Sequence, residues 1–266
     1  MNAGPDVVAA QPCAVCGARE SRLFAEIDGW SYQQCSRCAF VFVVPMPAQD
    51  ELNTLYQGDE KPGGCESDAA EQHPEAGTHD QGYPKARSRH RRALLRSLRL
   101  WPLLWHKRVI DVGCGGGFMA GAFQRFGADA SGLDIDRQAI RYARARYPKC
   151  NFYCQSFEDF EVDRPYDFVY SSELIEHVAR LDNYMDLIRR LTHAGSHVLI
   201  TTPDLGSPRV PTPVTDWDVF GPPYHVQFFD RDNLALLFER AGFSEVRVYG
   251  DKKAGLKMLF RRCKST

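Results

Sequence analysis

Hydrophobic positions along this 266-residue chain change rhythm from one end to the other. Near the start they form short strand-like runs, the longest being Ala39–Val44, which Pro45 stops. Residues 1–12 read as a loose tail, and Asp50–Tyr56 as a short helix with an acidic first turn. Lys61–Pro84 is rich in Gly, Pro, acidic residues and His and has no periodicity, which predicts a flexible insertion or lid. From Ser88 to Trp105 the stripe Leu94, Leu95, Leu98 and Leu100 predicts a helix. Its other face is basic, with Arg87, Arg89, Arg91, Arg92, Arg96 and Arg99, and reads as a solvated surface.

From Lys107 onward the period alternates between two and 3.6. Strands are predicted at Lys107–Val112, Ala128–Leu133, Asn151–Tyr153, Tyr166–Tyr170 and Ser196–Thr201. Helices are predicted at Phe118–Phe126, Arg137–Arg146, Ser172 to about Leu191, and Asp230–Ala241 before the C-cap Gly242. Alternation of this kind gives a parallel sheet covered on both faces. The last two strands, Ser244–Tyr249 and Leu256–Arg261, are joined too tightly for a crossover and must pair antiparallel. The fold class expected is α/β, a mostly parallel, seven-stranded, doubly wound sheet with a small N-terminal zinc ribbon. The divisions expected are 1–47 for tail and ribbon, 48–87 for linker and lid, and 88–266 for the main domain.

The ribbon rests on Cys13-x-x-Cys16 and Cys35-x-x-Cys38, separated by enough chain for a hairpin. Two such pairs match a closed four-thiolate zinc site, whereas redox chemistry would need only one pair. Cys65, Cys114, Cys150, Cys154 and Cys263 have no partner at ligand spacing and read as ordinary reduced thiols. A net charge of −1 gives no general attraction to nucleic acid or anionic membrane. No apolar run has the length of a membrane span and no signal peptide is visible, so a cytoplasmic location is expected.

Asp111-Val-Gly113-Cys-Gly115-Gly-Gly117 follows a predicted strand, and Asp134 ends the next one. Glycines allow close backbone approach to a nucleoside, and a carboxylate there can accept two ribose hydroxyls. The Asp-led spacing differs from the dinucleotide fingerprint. It resembles the first motif of class I S-adenosylmethionine-dependent methyltransferases, over about residues 88–263. The resemblance implies that Asp111, Gly113, Gly115 and Gly117 position the methionine end of S-adenosylmethionine. It implies Asp134 at the ribose, Ile135 and Phe157 beside adenine, Ser156 near the adenine amine, and Ser171 at a further strand end of the cofactor site.

Glu173-Leu-Ile-Glu176-His177 is a second constellation, and at helical spacing its three polar side chains share a face. It resembles Glu-x-x-Glu-His of ubiquinone-biosynthesis O-methyltransferases and of small-RNA 2′-O-methyltransferases. That implies a divalent cation, such as magnesium, at Glu173, Glu176 and His177, with His225 as a later ligand. The other reading is a packing role for this turn. His177 and His225 are the catalytic candidates. Residues 202–229 hold Trp217, Phe220 and Tyr224 among prolines and read as an acceptor-binding wall. The activity expected is methyl transfer to a small-molecule hydroxyl. RNA methylation, less favoured, and glycan or deoxysugar methylation remain the alternatives.

Overall fold

The computed structural model describes residues 12–55, 85–250 and 253–264. The expected tail (but for its last residue), the lid and Cys65 therefore lie outside the described residues. Two sheets make the molecule. The larger contains β4 (Arg108–Val112), β5 (Asp129–Asp134), β6 (Asn151–Cys154), β7 (Tyr166–Ser172), β8 (Thr192–Pro203), β10 (Phe243–Val248) and β11 (Gly255–Arg262). Its order is β10-β11-β8-β7-β4-β5-β6. All neighbours are parallel except β11, which is antiparallel to both β8 and β10. The strand order reverses between β4 and β7, where the two crossovers leave in opposite directions and a crevice must open.

The flanking helices are α2 (Ala86–Leu100), α3 (Phe118–Arg125), α4 (Arg137–Arg146), α5 (Leu181–Leu191) and α6 (Arg231–Arg240). Each follows from local chemistry. Asp136 caps α4 by accepting from the Gln138 and Ala139 amides, and Asp230 caps α6 through Asn233. Pro102 sits in the 3-10 turn Trp101–Leu103 that ends the predicted Ser88–Trp105 helix early. Helix α5 buries Tyr184, Leu187, Ile188 and Leu191 against the sheet. At the other end of that layer Phe238 stacks on Phe260 with centroids 4.1 Å apart.

The smaller sheet contains β1 (Ser21–Ile27), β2 (Trp30–Cys35) and β3 (Val41–Val44) from the N-terminal segment. It also contains a strand the sequence pattern did not suggest, β9 (Gln227–Phe228), which pairs antiparallel with β3. Two residues are too few to carry a readable period. The aromatic loop before it behaves differently from the expected acceptor wall. Trp217 and Phe220 are buried in a cluster with Tyr32, Val41, Val43 and Phe228 of the smaller sheet, and Tyr224 alone of the three aromatics is exposed. Burying two large aromatic rings against the ribbon outweighs leaving them to line an open cleft.

Two further expectations are corrected. The predicted helix from Ser172 to Leu191 begins only at Leu181. Before it, β7 runs through Ser172, Glu173 takes a left-handed φ of 54°, and Ile175–His177 forms a 3-10 turn. The Ile175 carbonyl accepts from the Val178 amide at 3.4 Å and from the Gln227 side chain, which also donates to the Val178 carbonyl. Cys154, read as a reduced thiol, is disulfide-bonded.

Candidate active site

The crevice beside β4 is a cleft of about 230 Å³. Val112, Gly113 and Gly115 form one wall; Leu133, Asp134, Ile135 and Asp136 form the next, with Gln155 and Phe157 beyond. Glu173, Leu174, His177 and Val178 close the far end, and Gln49 and Asn53 of α1 (Gln49–Thr54) lie across it. Thus one continuous cavity joins the glycine turn, the acidic end of β5 and the His177 turn.

The glycine turn needs its glycines. Gly113, Gly115 and Gly117 all have positive φ, at 77°, 47° and 71°. A Cβ on Gly117 would lie 2.7 Å from the Phe152 ring and 2.9 Å from the Ala143 methyl. Asp134 organises this turn: Oδ2 accepts from the Gly115 amide at 2.6 Å and Oδ1 from the Asp136 amide at 2.9 Å. Asp111, below the turn, is 3% exposed. Burial, then the nearby Asp134 charge, pushes its carboxyl up to about 8.

Ile135 and Phe157 line the cleft, but Ser156 and Ser171 are not among its described lining residues. The Ser156 hydroxyl accepts from the Glu158 amide, turning the chain after β6. Ser171 is buried, alternating with Tyr170 and Ser172, which face a second opening. Gln155, one residue before Ser156, reaches the cleft instead. The second opening, about 170 Å³, lies on the other side of Gly113 under Arg89 and Arg96. All six arginines of that helix are exposed, as expected, and Arg89 and Arg96 border this opening. The expected apolar stripe is corrected: Leu95 and Leu98 are exposed, and the helix buries Ala86, Ala93, Ser97 and Leu100 instead.

Beside the far end Glu176, His177 and His225 converge, each offering a ligand atom within 4.8 Å of the others; of the three only His177 is among the lining residues of the cleft, so His225, expected to line it, stands behind His177. The His177 and His225 rings have centroids 4.6 Å apart. His177 Nδ1 meets the Tyr224 carbonyl at 2.6 Å, and His225 Nδ1 meets that of Val219. A carbonyl only accepts, so both Nδ1 atoms carry the proton and both Nε2 atoms keep a lone pair. Burial, then the charge His225 would carry, lowers His177 to about 4. Burial likewise lowers His225. Glu176 is fully buried; Oε2 accepts from Thr202 at 2.9 Å while Oε1 has no hydrogen-bond partner. Burial and the Glu173 charge push Glu176 up to about 8. Glu173 stands apart, accepting from the Thr201 hydroxyl at 2.9 Å.

These features suit a divalent cation. Two neutral imidazoles held by backbone carbonyls and one carboxylate with an unsatisfied buried oxygen form a three-ligand set with open positions. The Cys13, Cys16, Cys35 and Cys38 sulfurs cluster as well, at 3.6 Å for Cys13–Cys38 and 3.5 Å for Cys16–Cys35. Tetrahedral zinc with bonds of about 2.3 Å needs sulfurs about 3.8 Å apart, so the thiols fit a zinc ribbon. Among the described residues no helix is long and apolar enough to cross a membrane.

Comparison with known proteins agrees with this geometry. The model of the methyltransferase domain family matches residues 85–248. Over 105 residues the chain is 33% identical to the ubiquinone biosynthesis O-methyltransferase of Pectobacterium carotovorum subsp. carotovorum (strain PC1). That match covers 37% of this chain and 44% of the relative, so less than half of the relative's length is spanned. Two solved structures share the fold. The 1,6-didemethyltoxoflavin-N1-methyltransferase of Burkholderia thailandensis aligns at TM-score 0.56 and 14% identity, over 91% of this chain and 100% of that one. The magnesium protoporphyrin IX methyltransferase of Synechocystis PCC 6803, with bound SAH, aligns at TM-score 0.54 and 16% identity, over 66% and 84%.

Proposed function

The chain belongs to the methyltransferase domain family, and on that premise we propose that it methylates a hydroxyl of a small-molecule acceptor, using S-adenosylmethionine. The observation that carries this reading is the continuous cleft from Gly115 and Asp134 to His177. The cofactor supplies a methyl group already activated by its sulfonium. Asp134 accepts the ribose hydroxyls, Ile135 and Phe157 flank the base, and the Gly113–Gly117 turn admits the methionine end. Arg89 and Arg96, beyond Gly113, offer cations to its carboxylate. Ser156 and Ser171 take no direct part in this reading.

The acceptor oxygen enters from the His177 end. It would give up its proton to water while its lone pair forms the new C–O bond, the S–C bonding pair leaving on sulfur as S-adenosylhomocysteine. Glu176, His177 and His225 would hold a divalent cation such as magnesium there, with Glu173 as a neighbouring charge. A cation supplies Lewis acidity that lowers the pKa of an acceptor hydroxyl. Burial lowers both imidazoles, His177 to about 4, which weakens them as bases and, with both Nδ1 protons held by backbone carbonyls, favours ligand duty over unassisted proton removal. The four-cysteine site would hold a structural zinc.

The test is transfer of radiolabelled methyl to a panel of catechols and phenols. Activity should vanish with chelator and return with magnesium or manganese, while elemental analysis still finds about one zinc per chain. Chelator-insensitive activity that falls as pH drops through the histidine range would instead make an imidazole the general base. Transfer to no hydroxyl acceptor, with S-adenosylhomocysteine unbound, would refute the reading.

A further inference from the structure

The four-cysteine ribbon is built into the acceptor half of the cleft. Its strand β3 pairs with β9 through Val41–Phe228 and Phe42–Gln227, and the Val43 amide donates to the Val226 carbonyl at 2.9 Å. Tyr32, on β2, is completely buried. Its ring lies against Phe220 and Phe228, with centroids 4.5 and 6.0 Å away. Its hydroxyl donates to the backbone carbonyl of His225 at 2.6 Å. A buried phenol needs that bond, because leaving the group unpaired costs about 1–3 kcal/mol.

The same short segment is held from the other side. The Val226 amide donates to the Glu176 carbonyl at 3.0 Å. The Gln227 side chain donates to the Ile175 and Val178 carbonyls at 2.6 and 2.8 Å. Residues 225–227 are thus clamped between the ribbon and the turn that bears Glu176 and His177. Around them the chain from 217 to 226 has no regular strand or helix; its own backbone contributes turn bonds, from the Phe220 amide to the Trp217 carbonyl at 2.8 Å and from the His225 amide to the Gly221 carbonyl at 3.2 Å. None of residues 12–44 lines the cleft at either end, so the ribbon bears on it through residues 225–227. Cys13, Val15, Phe40 and Phe42 also share a buried cluster with Val112, Leu133 and Phe157 of the nucleoside end.

We propose that Tyr32 is a positioning residue for His225, and that through it the ribbon supports the acceptor half of the active site from behind. The inference rests on the acceptor-side role assigned above to His177 and His225. The ribbon sets where the His225 ring stands, and zinc at the four cysteines sets where the ribbon stands. A ribbon that served only to stabilise the fold would require no hydroxyl on its buried aromatic.

The experiment is Tyr32→Phe in the full-length, zinc-loaded protein, which keeps the ring and removes the hydroxyl. Four quantities are read: zinc per chain, affinity for S-adenosylhomocysteine, turnover, and the imidazole carbon resonances of labelled histidines. His177 and His225 signals are assigned from His177→Gln and His225→Gln. The expected result is unchanged zinc, cofactor-product affinity within about twofold, shifted His225 and His177 resonances, and unmoved His90 and His193 signals. Turnover should fall about tenfold or more with the S-adenosylmethionine KM preserved, as for a misplaced acceptor group. Gln227→Leu, which cuts the clamp from the other side, should move the same two signals even if Tyr32→Phe proves unstable. Wild-type resonances for His177 and His225 in both variants would overturn the proposal. So would a general shift of all histidines with loss of product affinity. A wild-type protein that fails to bind S-adenosylhomocysteine would refute the methyltransferase reading instead, and the histidine signals would still decide the role of Tyr32.

Discussion

The proposed nucleoside half and the proposed acceptor half of the cleft are made in opposite ways. The first is local. Asp111, the glycine turn and Asp134 span one strand-helix-strand unit, and Asp134 binds the Gly115 amide directly. The second gathers Glu176 and His177 from one turn, Thr202 from the end of β8 and His225 from a loop held by Tyr32 of the ribbon. A site built from one contiguous unit is fixed by spacing and backbone conformation. A site drawn from four distant segments is fixed by tertiary hydrogen bonds and by burial. The first should tolerate damage to the ribbon, and the second should not.

Removing the ribbon's metal sharpens this contrast most. Cys16→Ser should lose the zinc measured by elemental analysis and with it a folding contribution on the order of 10 kcal/mol to the ribbon. Near-ultraviolet circular dichroism of the Tyr32–Trp217–Phe220 cluster should collapse with it, while far-ultraviolet signal from the seven-stranded sheet persists. Loss of both signals together would mean that the halves fold as one.

A smaller effect is expected inside the nucleoside half. Gly117→Ala must hold a side chain at positive φ and push on Phe152 and Ala143. Urea denaturation should show a loss of about 2–5 kcal/mol, the sum of left-handed strain and overpacking. A loss below about 1 kcal/mol would mean that the turn relaxes and that its conformation is not what fixes this half.

The smallest effect concerns pH. Asp111 has an ordinary value of 3.8 and stands at about 8 when folded, because it is buried and near Asp134. A raised folded value means that the native state holds the proton longer than the unfolded chain. Its stabilising contribution is therefore complete below about pH 4 and is lost as pH rises towards about 8. Asp111→Asn should flatten that decline in the ligand-free protein. Equal pH slopes for both proteins would show Asp111 to be ionised in the fold.

The sequence made legible what is local or periodic. Alternating strands and helices gave the sheet and its antiparallel end, and the Asp111–Gly117 and Cys-x-x-Cys spacings pointed to cleft and ribbon. The Glu173–His177 segment misled, because helical spacing is satisfied on paper even where Glu173 turns left-handed and Gln227 takes the carbonyls. Strand β9 was too short to have a pattern, so the union of ribbon and acceptor loop was invisible. Arg89 and Arg96 were lost in a uniformly basic face, although that helix presents them to the opening beside Gly113.

The central claim is that the two halves act separately, and calorimetric titration of S-adenosylhomocysteine tests it most directly. Asp134→Ala should weaken binding by about 1.5–3 kcal/mol, the loss of a charge-assisted hydrogen-bonding group. That corresponds to roughly 10- to 150-fold in affinity. The double variant His177→Gln/His225→Gln should bind within about threefold of wild type, a difference below about 0.7 kcal/mol. Undiminished binding by Asp134→Ala together with abolished binding by the histidine double variant would contradict the account.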